Sequence, residues 1–123
     1  MRKPDKFVTE KSFKRNLVSQ LDMSPEVLAQ LRKHGVNEDT KLKLEYFFYT
    51  DTAEKGKALA QELEKLKYSV ECRKSVNEIE TLVTGWTEPM NMSNETVVSW
   101  TEKMCKLGYE YDCDFDGWGT KPE

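Results

Sequence analysis

From residue 42 onward the apolar residues change period in a fixed order, and that order restricts the chain to very few folds. Leu42, Leu44, Tyr46 and Phe48 alternate with Lys43, Glu45, Phe47 and Tyr49, the period of a strand with one face turned inward. Behind a cap at Asp51 or Thr52, the residues Gly56, Leu59, Ala60, Leu63 and Leu66 recur at three and four and predict a helix to about Lys67. Tyr68, Val70 and Cys72 alternate again up to Lys74. After a turn over Ser75–Glu78, a third strand is expected over Ile79–Trp86, and Pro89 and Asn91 mark a loop. A last helix, capped by Ser93 or Asn94, carries Val97, Trp100, Met104 and Leu107, with Gly108 expected to end it. Tyr109, Tyr111, Cys113 and Phe115 then alternate with Glu110, Asp112 and Asp114 as a fourth strand.

The order β-α-β-β-α-β predicts an α+β, ferredoxin-like sandwich. Right-handed crossovers lay both helices on one face of a four-stranded antiparallel sheet, with strand order 4-1-3-2. Ahead of this unit, Thr9 is positioned to cap a short helix, with Val8 and Phe13 as a hydrophobic staple and Phe13, Leu17 and Leu21 spaced four apart. A second helix is expected from the cap Ser24 and Pro25 to the residue before Gly35. The chain thus divides into a basic N-terminal segment, residues 1–22, partly helical, and a domain over residues 23–123 that includes its leading helix.

The 123 residues are 37% apolar and 33% charged, which implies a small core under a heavily charged surface. The net charge of −3 conceals an asymmetry. The first 16 residues carry +4, from Arg2, Lys3, Lys6, Lys11, Lys14 and Arg15 against Asp5 and Glu10, and the remainder carries −7. An acidic body repels phosphate backbones and suits a basic partner. The basic arm would make at most weak, salt-sensitive phosphate contacts, and its removal is expected to leave the fold intact. No apolar run is long enough to span a membrane, and no secretory signal is expected. The three cysteines, Cys72, Cys105 and Cys113, include no C-x-x-C pair, so a reduced, cytoplasmic setting is expected, with all three as small core residues.

Little in the chain suggests catalysis, a cofactor or a metal. The single histidine, His34, falls at a helix end where a base favours the C-terminal dipole. Asp112-x-Asp114-x-Asp116-Gly117 with Glu123 matches the calcium-loop pattern, but that loop joins two helices and here it would follow a strand. RNA recognition on such a sheet needs exposed aromatics on two strands. Phe47 and Tyr49 could serve on one, but Ile79–Trp86 does not match the aromatic box, and Glu110, Asp112 and Asp114 would repel phosphate. Direct nucleic-acid binding by the sheet is therefore disfavoured.

Three stretches carry a family resemblance: Leu44-Glu45-Tyr46-Phe47-Phe48-Tyr49 after a helix ending in Lys33-His34-Gly35; Ala60-Gln61-Glu62-Leu63-Glu64-Lys65-Leu66-Lys67-Tyr68-Ser69-Val70-Glu71; and Phe115-Asp116-Gly117-Trp118-Gly119-Thr120. Together they resemble the regulator of ribonuclease E activity B family, RraB, over about residues 24–120. The resemblance implies a ferredoxin-like sandwich without enzymatic activity that binds ribonuclease E or a related degradosome protein, inhibits RNA cleavage, and alters RNA turnover and degradosome composition. The chain departs from the family pattern at Lys67, where glycine is usual, and at Glu45-Tyr46, where the family has Glu-His. Two alternatives stay open: a small cytoplasmic interaction domain unrelated to RNA decay, and a weak nucleic-acid binder acting through the basic arm.

A docking surface follows from the fourth strand. Period two places Glu110, Asp112 and Asp114 together on the solvent side, and Asp116 extends the row. Phe47, Tyr49 and Trp118 are candidate apolar anchors beside it. For Trp118, flanked by Gly117 and Gly119, a packed plug closing the sandwich is the competing role.

Overall fold

Two faces of one sheet emerge from the alternation in the strands. The computed structural model describes residues 6–121. In chain order these form α1 (Glu10–Lys33), β1 (Lys41–Leu42), β2 (Glu45–Thr50), α2 (Ala53–Lys65), β3 (Glu71–Lys74), β4 (Thr81–Trp86), β5 (Met90–Asn91), α3 (Asn94–Glu110) and β6 (Asp114–Gly119). The main sheet runs β3-β4-β2-β6, antiparallel throughout, which is the expected 4-1-3-2 order read from the opposite edge. Tyr46, Phe48, Val83 and Phe115 point to the side occupied by α2 and α3 and are fully or almost fully buried. Both helices thus cover one face, as the ferredoxin-like pattern requires. Among the described residues, no helix is long and apolar enough to cross a membrane.

The predicted first strand divides in two. Leu44 donates its N–H to Thr87 Oγ1 at 2.9 Å and accepts from the N–H of Thr87, a local link that separates Lys41–Leu42 from β2. Those two residues pair instead with β5, inside the expected Pro89–Asn91 loop.

The N-terminal region differs more. One continuous helix, α1, runs through both predicted helices and across the 22/23 boundary, with Pro25 in its interior. Inward positions continue without a break through Gln20, Ser24, Leu28 and Leu31, and that packing outweighs the hydrogen bond Pro25 cannot make. Ser24 is therefore no cap. Its buried hydroxyl accepts from Trp118 Nε1 at 3.0 Å and pairs with Thr101 Oγ1 at 2.8 Å, and Thr101 donates on to the carbonyl of Val97. Nor is the basic segment a free arm. Val8 is buried, and the Phe13 ring stacks on Tyr109 at 4.3 Å. Removing residues 1–16 would strip packing from the fold, contrary to the expectation of neutrality. Arg2 and Lys3 lie outside the described residues.

The three helices of the described residues end in the same way. His34, Leu66 and Tyr111 are the C-caps, and Gly35, Lys67 and Asp112 follow with φ of +89°, +67° and +58°. In each case the next two N–H groups return to the last turn, as Lys67 to Glu64 and Tyr68 to Leu63 do after α2. A lysine in the left-handed region carries a Cβ penalty that glycine lacks. Lys67→Gly is expected to stabilise the protein by about 1 kcal/mol, read as a raised urea midpoint at unchanged m.

The last strand is the main correction. The chain stays helical through Glu110, and β6 begins only at Asp114. Cys72 is also corrected: it lies exposed on β3, an edge strand, whereas Cys105 and Cys113 are buried as expected.

Candidate protein-interaction surface

Among the described residues, no helix covers the second face of the sheet. Register places Phe47 and Tyr49 of β2 on it, beside Leu82, Thr84 and Trp86 of β4 and Asp114 of β6. Phe47 and Tyr49 are half-buried. Phe47 lies mid-sheet between Thr84 and Gly117. Tyr49 lies at the end where the charge is acidic.

That end forms a depression of about 470 Å³ whose lining includes Tyr49, Phe7, Val76, Glu80, Asp114 and Asp116. Burial, with the negative charges of Asp116 and Glu80, pushes the Asp114 carboxyl above its ordinary value, and burial does the same at Asp116. Asn16 Nδ2 donates to Asp114 at 3.2 Å, but among the described residues no lysine or arginine is within ion-pair distance of these three acids. A cation entering the depression would relieve their mutual repulsion. Beside it, the β3–β4 turn presents Val76 fully exposed and Ile79 72% exposed.

A bulge shapes this end. Phe47 pairs with Gly117 and Phe48 with Phe115, so Asp116 is the extra residue on β6. The expected unbroken acidic row does not form. Glu110 belongs to the last turn of α3 and is exposed elsewhere, bordering a separate depression with Glu102, Lys103 and Lys106.

Asp112 is not a solvent-facing acid. Its two carboxylate oxygens accept from the backbone N–H groups of Phe7 at 2.8 Å and Val8 at 2.7 Å, and Lys55 Nζ approaches to 2.6 Å. Burial alone would raise this carboxyl. The Lys55 ammonium and the two N–H groups outweigh it and hold the group below its ordinary value. Asp112 is thus a clamp between the N-terminal segment, α2 and the end of α3.

Trp118 takes the plug role. Half-buried, it packs edge-to-face on Trp100 at 6.4 Å and donates to Ser24.

Of the expected site residues, Tyr49, Asp114 and Asp116 come together, Phe47 adjoins them, and Glu110, Asp112 and Trp118 do not. Sequence reasoning missed Glu80 and Phe7. Period two from Leu82 back through β4 places Glu80 on the uncovered side, a signal present in the chain. Phe7 had none, because only the Asp112 clamp brings it there.

The calcium pattern is dispersed over a turn and a strand, with Asp112 already engaged and Glu123 outside the described residues. Among the described residues, no group of three or more His, Cys, Asp or Glu side chains is placed to hold a metal ion. Burial pushes the Cys105 and Cys113 thiols up to about 12, so neither is an activated nucleophile. His34 is the C-cap of α1.

No curated protein matches the chain. The family model described as regulator of ribonuclease activity B matches residues 21–120. That match spans the uncovered sheet face and all the helices except the first half of α1, and the chain belongs to the RraB family.

Proposed function

We propose that this protein is a non-enzymatic, cytoplasmic regulator that binds ribonuclease E or a related degradosome protein, restrains its cleavage of RNA, and so alters RNA decay and degradosome composition. The observation that carries this reading is the family match over residues 21–120. The acidic depression supplies a physical basis. An arginine-rich, RNA-binding segment of a nuclease scaffold would place its guanidinium groups against Glu80, Asp114 and Asp116, with Tyr49, Val76 and Ile79 as apolar contacts. Occupying such a segment would compete with RNA for it.

The test is capture of purified ribonuclease E, and of its C-terminal scaffold region alone, by the full chain. A parallel variant carries Glu80→Gln, Asp114→Asn and Asp116→Asn. The native chain is expected to retain the nuclease and slow its cleavage of RNA. The variant is expected to bind at least about ten-fold more weakly, with a flatter salt dependence. Its thermal stability should be unchanged or slightly higher, since the raised carboxyls of Asp114 and Asp116 oppose folding at neutral pH. Failure to retain the nuclease would reject the partner. Retention unaffected by the triple change would move the docking surface elsewhere.

A further inference from the structure

At the opposite end of the uncovered face, one depression is lined by lysines. Trp86 ends β4, and its half-buried side chain borders a depression of about 290 Å³ shared with Lys41, Leu42, Lys43, Pro89 and Lys121. Two local links assemble it. The β1–β5 ribbon holds Lys41 opposite Asn91, and Thr120 Oγ1 donates to the carbonyl of Lys43 at 2.8 Å, bringing Lys121 alongside. None of the described residues lining the depression is acidic. Glu45 and Glu71 border Trp86 in a separate depression that also holds Arg73.

Three lysines lining one depression with an indole, Leu42 and Pro89 suit a ligand that is both anionic and flat. A nucleotide has both properties, and the volume accommodates about one. The cluster Glu80, Asp114 and Asp116 lies at the far end; the acids beside Trp86 are Glu45, its register partner, and Glu71, which pairs with Arg73 at 3.2 Å. Five residue steps along β4 separate Trp86 from Thr81, about 17 Å at strand rise. That exceeds the Debye length of about 8 Å at physiological salt. We infer that the Trp86 end of the sheet binds single-stranded RNA, with one base stacked on the indole and adjacent phosphates on Lys41, Lys43 and Lys121. This site needs no nuclease, so its test is independent of the reading above.

The experiment titrates a labelled short oligouridylate with the full chain and follows anisotropy and tryptophan fluorescence. At about 50 mM salt, saturable binding with a dissociation constant on the order of 10 µM is expected. It should weaken with salt at a log–log slope of about −2, the value for three phosphates on single strands. Lys41→Ala combined with Lys43→Ala should cut affinity about ten-fold and flatten the slope to about −0.7. Both lysines are exposed, so this variant should fold. Trp86→Ala should cost about ten-fold, and Trp86→Phe should retain binding while abolishing the fluorescence change.

Several results would overturn the proposal: no binding at low salt, binding indifferent to the lysine pair, or binding lost instead on changing Lys11, Lys14 and Arg15. Equal affinity for a duplex would remove the stacking contact. Equal affinity for free uridine monophosphate would replace RNA by a single nucleotide as the ligand.

Discussion

Gly108→Ala is expected to lower the melting temperature by about 10 °C, although it replaces glycine with the best helix former in a helical position. Propensity alone favours the change by about 1 kcal/mol. Sterics oppose it. A Cβ on Gly108 would stand 2.7 Å from the carbonyl oxygen of Cys113 and 2.8 Å from the ring of Phe48. Neither neighbour can retreat easily. Cys113 donates its own N–H back to Gly108 at 2.8 Å, closing the end of α3, and the Phe48 ring is fully buried against Phe115 at 5.1 Å. Overpacking of this kind costs about 3 kcal/mol or more, so the net is strongly unfavourable. Gly108→Asn separates this account from a capping role. A left-handed cap tolerates asparagine, whereas the observed contact makes it worse than alanine. An Asn variant more stable than the Ala variant would show that conformation, rather than close approach, sets the requirement.

Gly108 also shows where the sequence is legible and where it is not. Side-chain period and capping hydroxyls are local: they pointed to Thr9 as a cap and narrowed the other two to Asp51 or Thr52 and Ser93 or Asn94, of which Thr52 and Ser93 cap, and the resulting element order, with right-handed crossovers, matches the strand order of the sheet. A glycine at the end of an apolar stripe has two explanations, a left-handed cap or a close approach, and only the tertiary neighbour Phe48 decides between them. Reading it as a cap started the last strand five residues early and turned Asp112 from a clamp into a solvent-facing acid. Ser24 before Pro25 has the same ambiguity. The pair reads as a helix start, and only Trp118 and Thr101, distant in sequence, reveal a buried polar chain within a longer helix. At the candidate surface, Asp114, Asp116 and Tyr49 followed from alternation. The bulge at Asp116 did not, since it depends on register against β2.

Asp112→Ala is expected to destabilise the protein by about 3 kcal/mol at neutral pH, where a surface acid would have cost less than about 0.5 kcal/mol. The loss has a specific source. The N–H groups of Phe7 and Val8 would lose a charged acceptor, Val8 is buried at that point, and Lys55 would keep only Asp51 at 2.9 Å. Backbone strain makes the opposite prediction. Asp112 has φ of +58°, so a purely conformational role would make Asp112→Gly stabilising. With the clamp dominant, Asp112→Gly should still lose about 2 kcal/mol. Acid provides a second readout. The folded carboxyl lies below its ordinary value of 3.8, so its contribution is complete above that pH and disappears as pH falls through the folded value. Urea midpoints of native and Asp112→Ala protein should therefore differ fully at neutral pH and converge under acid below that range. A constant gap across the titration would place the loss in packing rather than in the carboxylate. The clamp also bears on binding. Phe7 walls the acidic depression only because Asp112 holds it there, so Asp112→Ala should weaken partner capture even though Asp112 itself does not line the depression.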